Sequence, residues 1–164
     1  MFDAITSTWP HLNPTSISTD FEMAALNAIN SVFPDAATFG CLFHLSKNMK
    51  KKLTNEGLMQ MYNNDCEFAL KARMIVALAF VPPDSVEQAF DELSDSCPDT
   101  LQPVLNWFED NYIGRRIRNG RRAATYANAI WTVYQRTLEG LDRTNNHAEA
   151  AHRRLQVILK FESL

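Results

Sequence analysis

The tightest constraint on what this chain can fold into lies within residues 15–45. There, two short strand-like stretches flank an amphipathic run. Thr15-Ser16-Ile17-Ser18-Thr19 follows Pro14 and has the β-branched composition of a strand. Across residues 21–33, apolar side chains recur at Phe21, Ala25, Ala28, Ile29 and Val32, which is the helical period, and Pro34 stops the run. Ala37-Thr38-Phe39-Gly40-Cys41 reads as a second short strand, followed by a helix over about 42–53. A strand, a helix and a strand of this length close as a right-handed crossover, so the strands are expected to be parallel neighbours. Open parallel sheets bind ligands beyond the carboxyl ends of their strands, where Asp20 and Cys41 both fall. Two strands do not make a stable sheet, so the remainder is expected from sequence preceding residue 1.

The rest of the chain has a different texture. Residues 2–7 read as the end of a helix stopped at Trp9-Pro10, and 46–140 reads as helical throughout. The clearest pieces are 65–80, 84–93, 101–112 and 126–138, with Pro82-Pro83 and Pro98 as separators and Asp84 or Ser85 as an N-cap. Residues 114–122 (GRRIRNGRR) form an arginine-rich turn or loop. A last helix is expected over 146–161, with Ala148, Ala151, Leu155, Ile158 and Leu159 along one side.

Composition narrows the function classes. A net charge of −3 is not the basic surplus typical of polyanion binders, so any DNA contact must come from local patches or metal. Cys41, Cys66 and Cys97 are odd in number and widely spaced, which argues against a disulfide framework and for a reducing, intracellular setting. The longest apolar run, residues 74–81, is too short to span a bilayer, and the first residues lack the pattern of a signal peptide. No membrane partner is expected.

Several residues are chemically suggestive, each beside an ordinary alternative. Asp20 is a strand-end carboxylate and equally a good helix N-cap. Glu149 lies three residues after Asn146 and resembles a capping-box acid suited to the helix dipole. Cys41 and His44 form a C-x-x-H pair that, with His147 and His152, suggests half a zinc site. Yet residues five apart on a helix point about 140° away from each other, so His147 and His152 converge poorly and structural zinc ranks last. The clusters Lys47, Lys50, Lys51, Lys52 and Arg115, Arg116, Arg118, Arg121, Arg122 are ordinarily solvated faces. Trp131 is expected to be core.

Taken in order, these segments resemble the Mutator-like (MULE) DDE transposase domain, in its C-terminal portion. The residues that carry the resemblance are Ile17-Ser18-Thr19-Asp20-Phe21-Glu22, Phe33-Pro34-Asp35-Ala36 and Gly40-Cys41-Leu42-Phe43-His44. Leu78-Ala79-Phe80-Val81-Pro82, the Trp131 helix and Thr144-Asn145-Asn146-His147-Ala148-Glu149-Ala150-Ala151-His152 continue it, so that it covers essentially the whole chain.

The resemblance implies an α/β, mostly helical fold: a partial ribonuclease-H-like core of two short parallel strands plus helices, with an all-α insertion. Residues 1–45 would be the partial core with the second acid, 46–140 the helical insertion, and 141–164 the final core helix with the third acid. Asp20 and Glu149 would be catalytic and would bind Mg²⁺ (or Mn²⁺), with Cys41 and His44 near the site. Arg115, Arg116, Arg118, Arg121 and Arg122 would contact DNA, both transposon ends and target. A homo-oligomer and a nuclear location are further expectations. Hard divalent ions take carboxylate oxygens, and a pair roughly 3.5–4 Å apart can activate a nucleophile and stabilise a leaving oxygen at a phosphodiester. The family's first acid lies on a strand not present here, and Asp3 falls in a helix instead. The chain is therefore expected to be an inactive piece of such an enzyme, or else a domesticated module that binds DNA or protein without catalysis.

Overall fold

The computed structural model describes residues 2–144. Helix α1 (Phe2–Thr8) leads to strand β1 (Ser16–Thr19), helix α2 (Met23–Val32) and strand β2 (Ala37–Gly40). The strands pair in parallel, with Ser16 opposite Ala37 and Thr19 opposite Gly40. The strand–helix–strand unit expected from the hydrophobic pattern is present, and its two strands form a two-stranded sheet among the described residues. The expected final helix at 146–161, with Glu149, His147 and His152, lies outside the described residues.

Helix α3 (Leu42–Asn55) starts where β2 ends and runs unbroken past residue 45 into the helical part. Its buried residues Leu45, Met49 and Leu53 recur every four positions and join the main core. Around them pack α4 (Met59–Asn64), α5 (Cys66–Ala77), α6 (Val86–Asp95) and α7 (Gln102–Phe108). Phe68, Ala72 and Ile75 of α5, Val86, Phe90 and Leu93 of α6, and Val104, Leu105 and Phe108 of α7 fill the interior. Pro103 sits in the first turn of α7, where its missing N–H costs no helical bond. A π-helical turn (Glu109–Ile113) ends that segment, closed by the Gly114 amide on the Glu109 carbonyl.

Among the described residues, helix α5 has a start capped by a side chain. The Asp65 carboxylate accepts hydrogen bonds from the amides of Glu67 at 2.9 Å and Phe68 at 3.0 Å. Asp65→Ala is expected to cost about 1 kcal/mol and to lower the melting temperature by about 2–4 °C, while Asp65→Asn keeps most of the stability in the same thermal melt. Ser85 occupies the N-cap position of α6, without a side-chain cap bond.

Two expected elements are built differently. The helix over 126–138 is two short ones, α8 (Asn128–Trp131) and α9 (Tyr134–Leu138). Thr132 between them is extended, and the Val133 amide donates to Ala79 at 2.7 Å. That tertiary bond, at a β-branched pair with weak helical preference, outweighs continuation of the helix. The arginine-rich loop is a small antiparallel hairpin, β3 (Arg116–Ile117) with β4 (Gly120–Arg121), turning through Arg118-Asn119. Gly120 has φ +125°, a value that L side chains rarely adopt.

Candidate functional site

Asp20 is not a helix N-cap: Glu22 holds that position and α2 begins at Met23. Asp20 instead follows the last residue of β1 directly, half-buried, with the Thr19 hydroxyl donating to its carboxylate at 3.4 Å. Beside it, Cys41 follows the last residue of β2, and its amide donates to the Thr19 carbonyl at 2.9 Å. The parallel register thus brings Asp20 and Cys41 to the same carboxyl edge. Cys41 is fully buried at the N-cap position of α3, and His44 lies in the first turn, its ring against Phe43. Among the described residues no ion pair engages Asp20, and no three His, Cys, Asp or Glu side chains cluster as a metal site.

Phe21 fixes the turn that carries Asp20. Its ring meets Tyr112 and Tyr126 edge-on, with centroids 5.5 and 5.1 Å away, and its carbonyl accepts the Tyr126 hydroxyl at 2.8 Å. The same ring lies across the end of β2, where a Cβ on Gly40 would come within 2.5 Å of it. A glycine is therefore required at this point. Burial, then the nearby Asp20 and Glu22 carboxylates, push the Tyr126 phenol above its ordinary pKa.

A residue that sequence reasoning missed ties the helical part to this edge. Arg136, in α9, is only 5% exposed, and it donates to the carbonyls of Gly40 at 3.0 Å and Asp142 at 3.3 Å. Its guanidinium stacks over Phe39 at 4.7 Å. Burial pulls its pKa down, while the Cys41 side chain acts in the opposite direction. Next to this clamp the Leu42 amide donates to the Arg143 carbonyl at 3.0 Å, so the chain arrives at residue 143 on the edge that holds Asp20 and Cys41. An arginine in an amphipathic stretch gives no sequence signal for such a role.

The arginine hairpin is largely neutralised from within. Arg115 forms a two-point pair with Asp110 at 2.7 and 2.9 Å, and Arg122 adds a bond to the same carboxylate at 3.0 Å. Arg121, with a side chain only 8% exposed, binds Glu109 at 2.8 Å and also Asp91, and stacks over Phe90. Arg116 pairs with Asp91 as well. The Arg115 hydrogen bonds hold the Asp110 carboxyl below its ordinary pKa. Arg118 is exposed and makes no ion pair among the described residues.

Burial pushes the Tyr112 phenol up to about 12, with Tyr126 adding to the shift and a hydrogen bond with Asn48 opposing it. Its ordinary value is 10.0, so the neutral ring is favoured in the fold and its contribution is complete below about pH 10. As pH rises from about 10 to 12, the unfolded form ionises first and up to about 3 kcal/mol is lost. Denaturant melts across that range should show this loss, and Tyr112→Phe should flatten it.

The geometry of this edge can be set beside known proteins. Residues 1–48 match the MULE transposase domain. The matched span holds β1, α2, β2 and the start of α3, and with them Asp20, Cys41 and His44. It supports a MULE-type transposase domain here and a transposase-derived protein. The hairpin arginines, Trp131 and Glu149 lie beyond it. No curated protein and no solved structure matches the chain. Among the described residues, no helix is long and apolar enough to cross a membrane.

Proposed function

We propose that this MULE-type transposase segment serves metal-dependent DNA strand cleavage and transfer on a ribonuclease-H-like core in a complete chain that supplies the first acid, with Asp20 and Glu149 as the other two carboxylates, and that it is inactive without that acid. The observation that carries the proposal is the position of Asp20, past the carboxyl end of a parallel strand and beside Cys41. Glu149 is six residues beyond Arg143, and six residues span at most about 20 Å. With residue 143 held at the Leu42 edge, that span permits the Glu149 carboxylate to meet Asp20.

Asp20 offers a hard oxygen donor with no cationic partner among the described residues, which fits Mg²⁺ or Mn²⁺. Such an ion, when bound, supplies Lewis-acid stabilisation of charge on phosphodiester oxygens. The chain's own contributions are the placing of Asp20 by the Phe21 wedge and the holding of the β2 end by Arg136. Of the hairpin arginines, Arg118 and the mostly exposed Arg116 and Arg122 would contact phosphates, while Arg121 holds the hairpin together. A nuclear location follows from that substrate. The test is nicking of supercoiled plasmid with Mg²⁺ or Mn²⁺ by a chain completed with a strand that carries the first acid, and by its Asp20→Ala and Glu149→Ala variants. Unchanged nicking by both variants would remove the assignment.

A further inference from the structure

We propose that the cavity of about 250 Å³ between α3 and the turn following α7 binds an unpaired nucleotide of a DNA strand. On the α3 side it is lined by Asn48, Lys51, Lys52 and Asn55, which at spacings of three and four share one polar helix face. Facing them are Trp107, Asn111, Tyr112 and Tyr126. Trp107 packs edge-on to Tyr112 with centroids 5.5 Å apart, and Tyr112 stacks on Tyr126 at 5.4 Å. Trp107 and Tyr126 are only half-buried, so the core's aromatic cluster reaches the surface at this cavity.

Aromatic surface beside a cation, rather than charge alone, selects this face over the hairpin, whose Arg118 also makes no ion pair among the described residues. The arginines of the hairpin are mostly matched by Asp91, Glu109 and Asp110. On α3, Lys52 pairs with Glu56, whereas Lys51 is exposed and makes no ion pair among the described residues. Asn48 bonds Tyr112 and the Asn111 amide nitrogen donates to the Trp107 carbonyl at 2.8 Å, which leaves the Asn111 oxygen and the Asn55 amide for a base edge; with aromatic surface for stacking and an ammonium for the phosphate, these suit a single nucleotide. Paired bases hide their faces in the stack, so an unpaired base is the ligand. The Tyr126 hydroxyl bonds the carbonyl of Phe21, which adjoins Asp20, so the bound strand would lie alongside the candidate acid. The choice of DNA rests on the transposase reading, but binding itself needs neither metal nor cleavage.

The experiment is fluorescence anisotropy of the full chain with labelled oligothymidylate, its duplex with oligodeoxyadenylate, and oligouridylate, in chelator and across a salt series. The single DNA strand is expected to bind more tightly than the duplex and to quench tryptophan emission. Trp107→Ala should weaken binding by about tenfold, and Trp107→Phe, which keeps a stacking face, should stay near wild type. Lys51→Gln, on the exposed helix face, should weaken binding and lower the salt slope by about 0.7; it carries the test if Trp107→Ala does not fold. Equal binding by wild type and both variants overturns the site, as does preference for the duplex, and tighter oligouridylate binding overturns the assignment to DNA. Nicking that is absent from the completed wild-type chain, or unchanged in Asp20→Ala and Glu149→Ala, with this binding pattern intact would count against the catalytic proposal alone.

Discussion

In a chain completed with the first acid, Asp20→Ala is expected to reduce metal-dependent nicking by about a thousandfold or more, the effect of losing several kcal/mol of charge stabilisation at a phosphodiester. The variant should fold normally. Asp20 caps no helix, joins no ion pair among the described residues, and makes one long contact with Thr19. Its loss should therefore change stability by no more than about 0.5 kcal/mol. Asp20→Asn keeps the shape and removes the charge, and it should be as inactive as the alanine variant if the carboxylate serves a cation. A second readout is Mn²⁺ affinity by titration calorimetry, which should fall in Asp20→Ala and in Glu149→Ala. Mn²⁺ affinity and nicking rates that stay at wild-type levels in both variants would show that these acids do not share a metal.

The largest effect on stability is expected at Trp131. Its indole is fully buried, donates to the Tyr112 carbonyl at 2.8 Å, and meets Phe108 and Tyr112 edge-on. Trp131→Ala removes the ring, leaves a cavity and orphans a buried carbonyl, for a loss of about 3–5 kcal/mol. Domains of this size have about 5–15 kcal/mol in total, so the variant should melt more than about 10 °C lower, or be partly unfolded at 37 °C. Trp131→Phe should recover part of the loss, since it restores volume without the hydrogen bond. A melting temperature within about 3 °C of wild type for the alanine variant would contradict the packing described.

The strand–helix–strand unit and the strand-end position of Asp20 were legible because each depends on local pattern: β-branched residues before Asp20, helical periodicity after it, and Pro34 as a stop. Asp20 as an N-cap was the reasonable local alternative. It fails because the wedge of Phe21 against Tyr112 and Tyr126 delays the helix by two residues. The single helix over 126–138 was misread for a similar reason, since the Val133–Ala79 bond that interrupts it joins residues far apart in sequence. The hairpin was half-legible: the segment read as an arginine-rich turn or loop, but the strand pairing of Ile117 with Gly120 across Arg118-Asn119 carried no alternating apolar pattern.

The order of residues alone determined which segments are strand and which are helix near the front of the chain, and it placed an acid at the end of a parallel strand. Those features follow from side-chain period and backbone preference, which act over a few residues. Only the tertiary structure decided how charge is distributed. It set the hairpin arginines against Asp91, Glu109 and Asp110, buried Arg136 beneath the β2 end, and gathered the polar face of α3 opposite Trp107 and Tyr126. Ion pairing and burial depend on what the fold brings within a few ångströms, and no spacing along the chain encodes that.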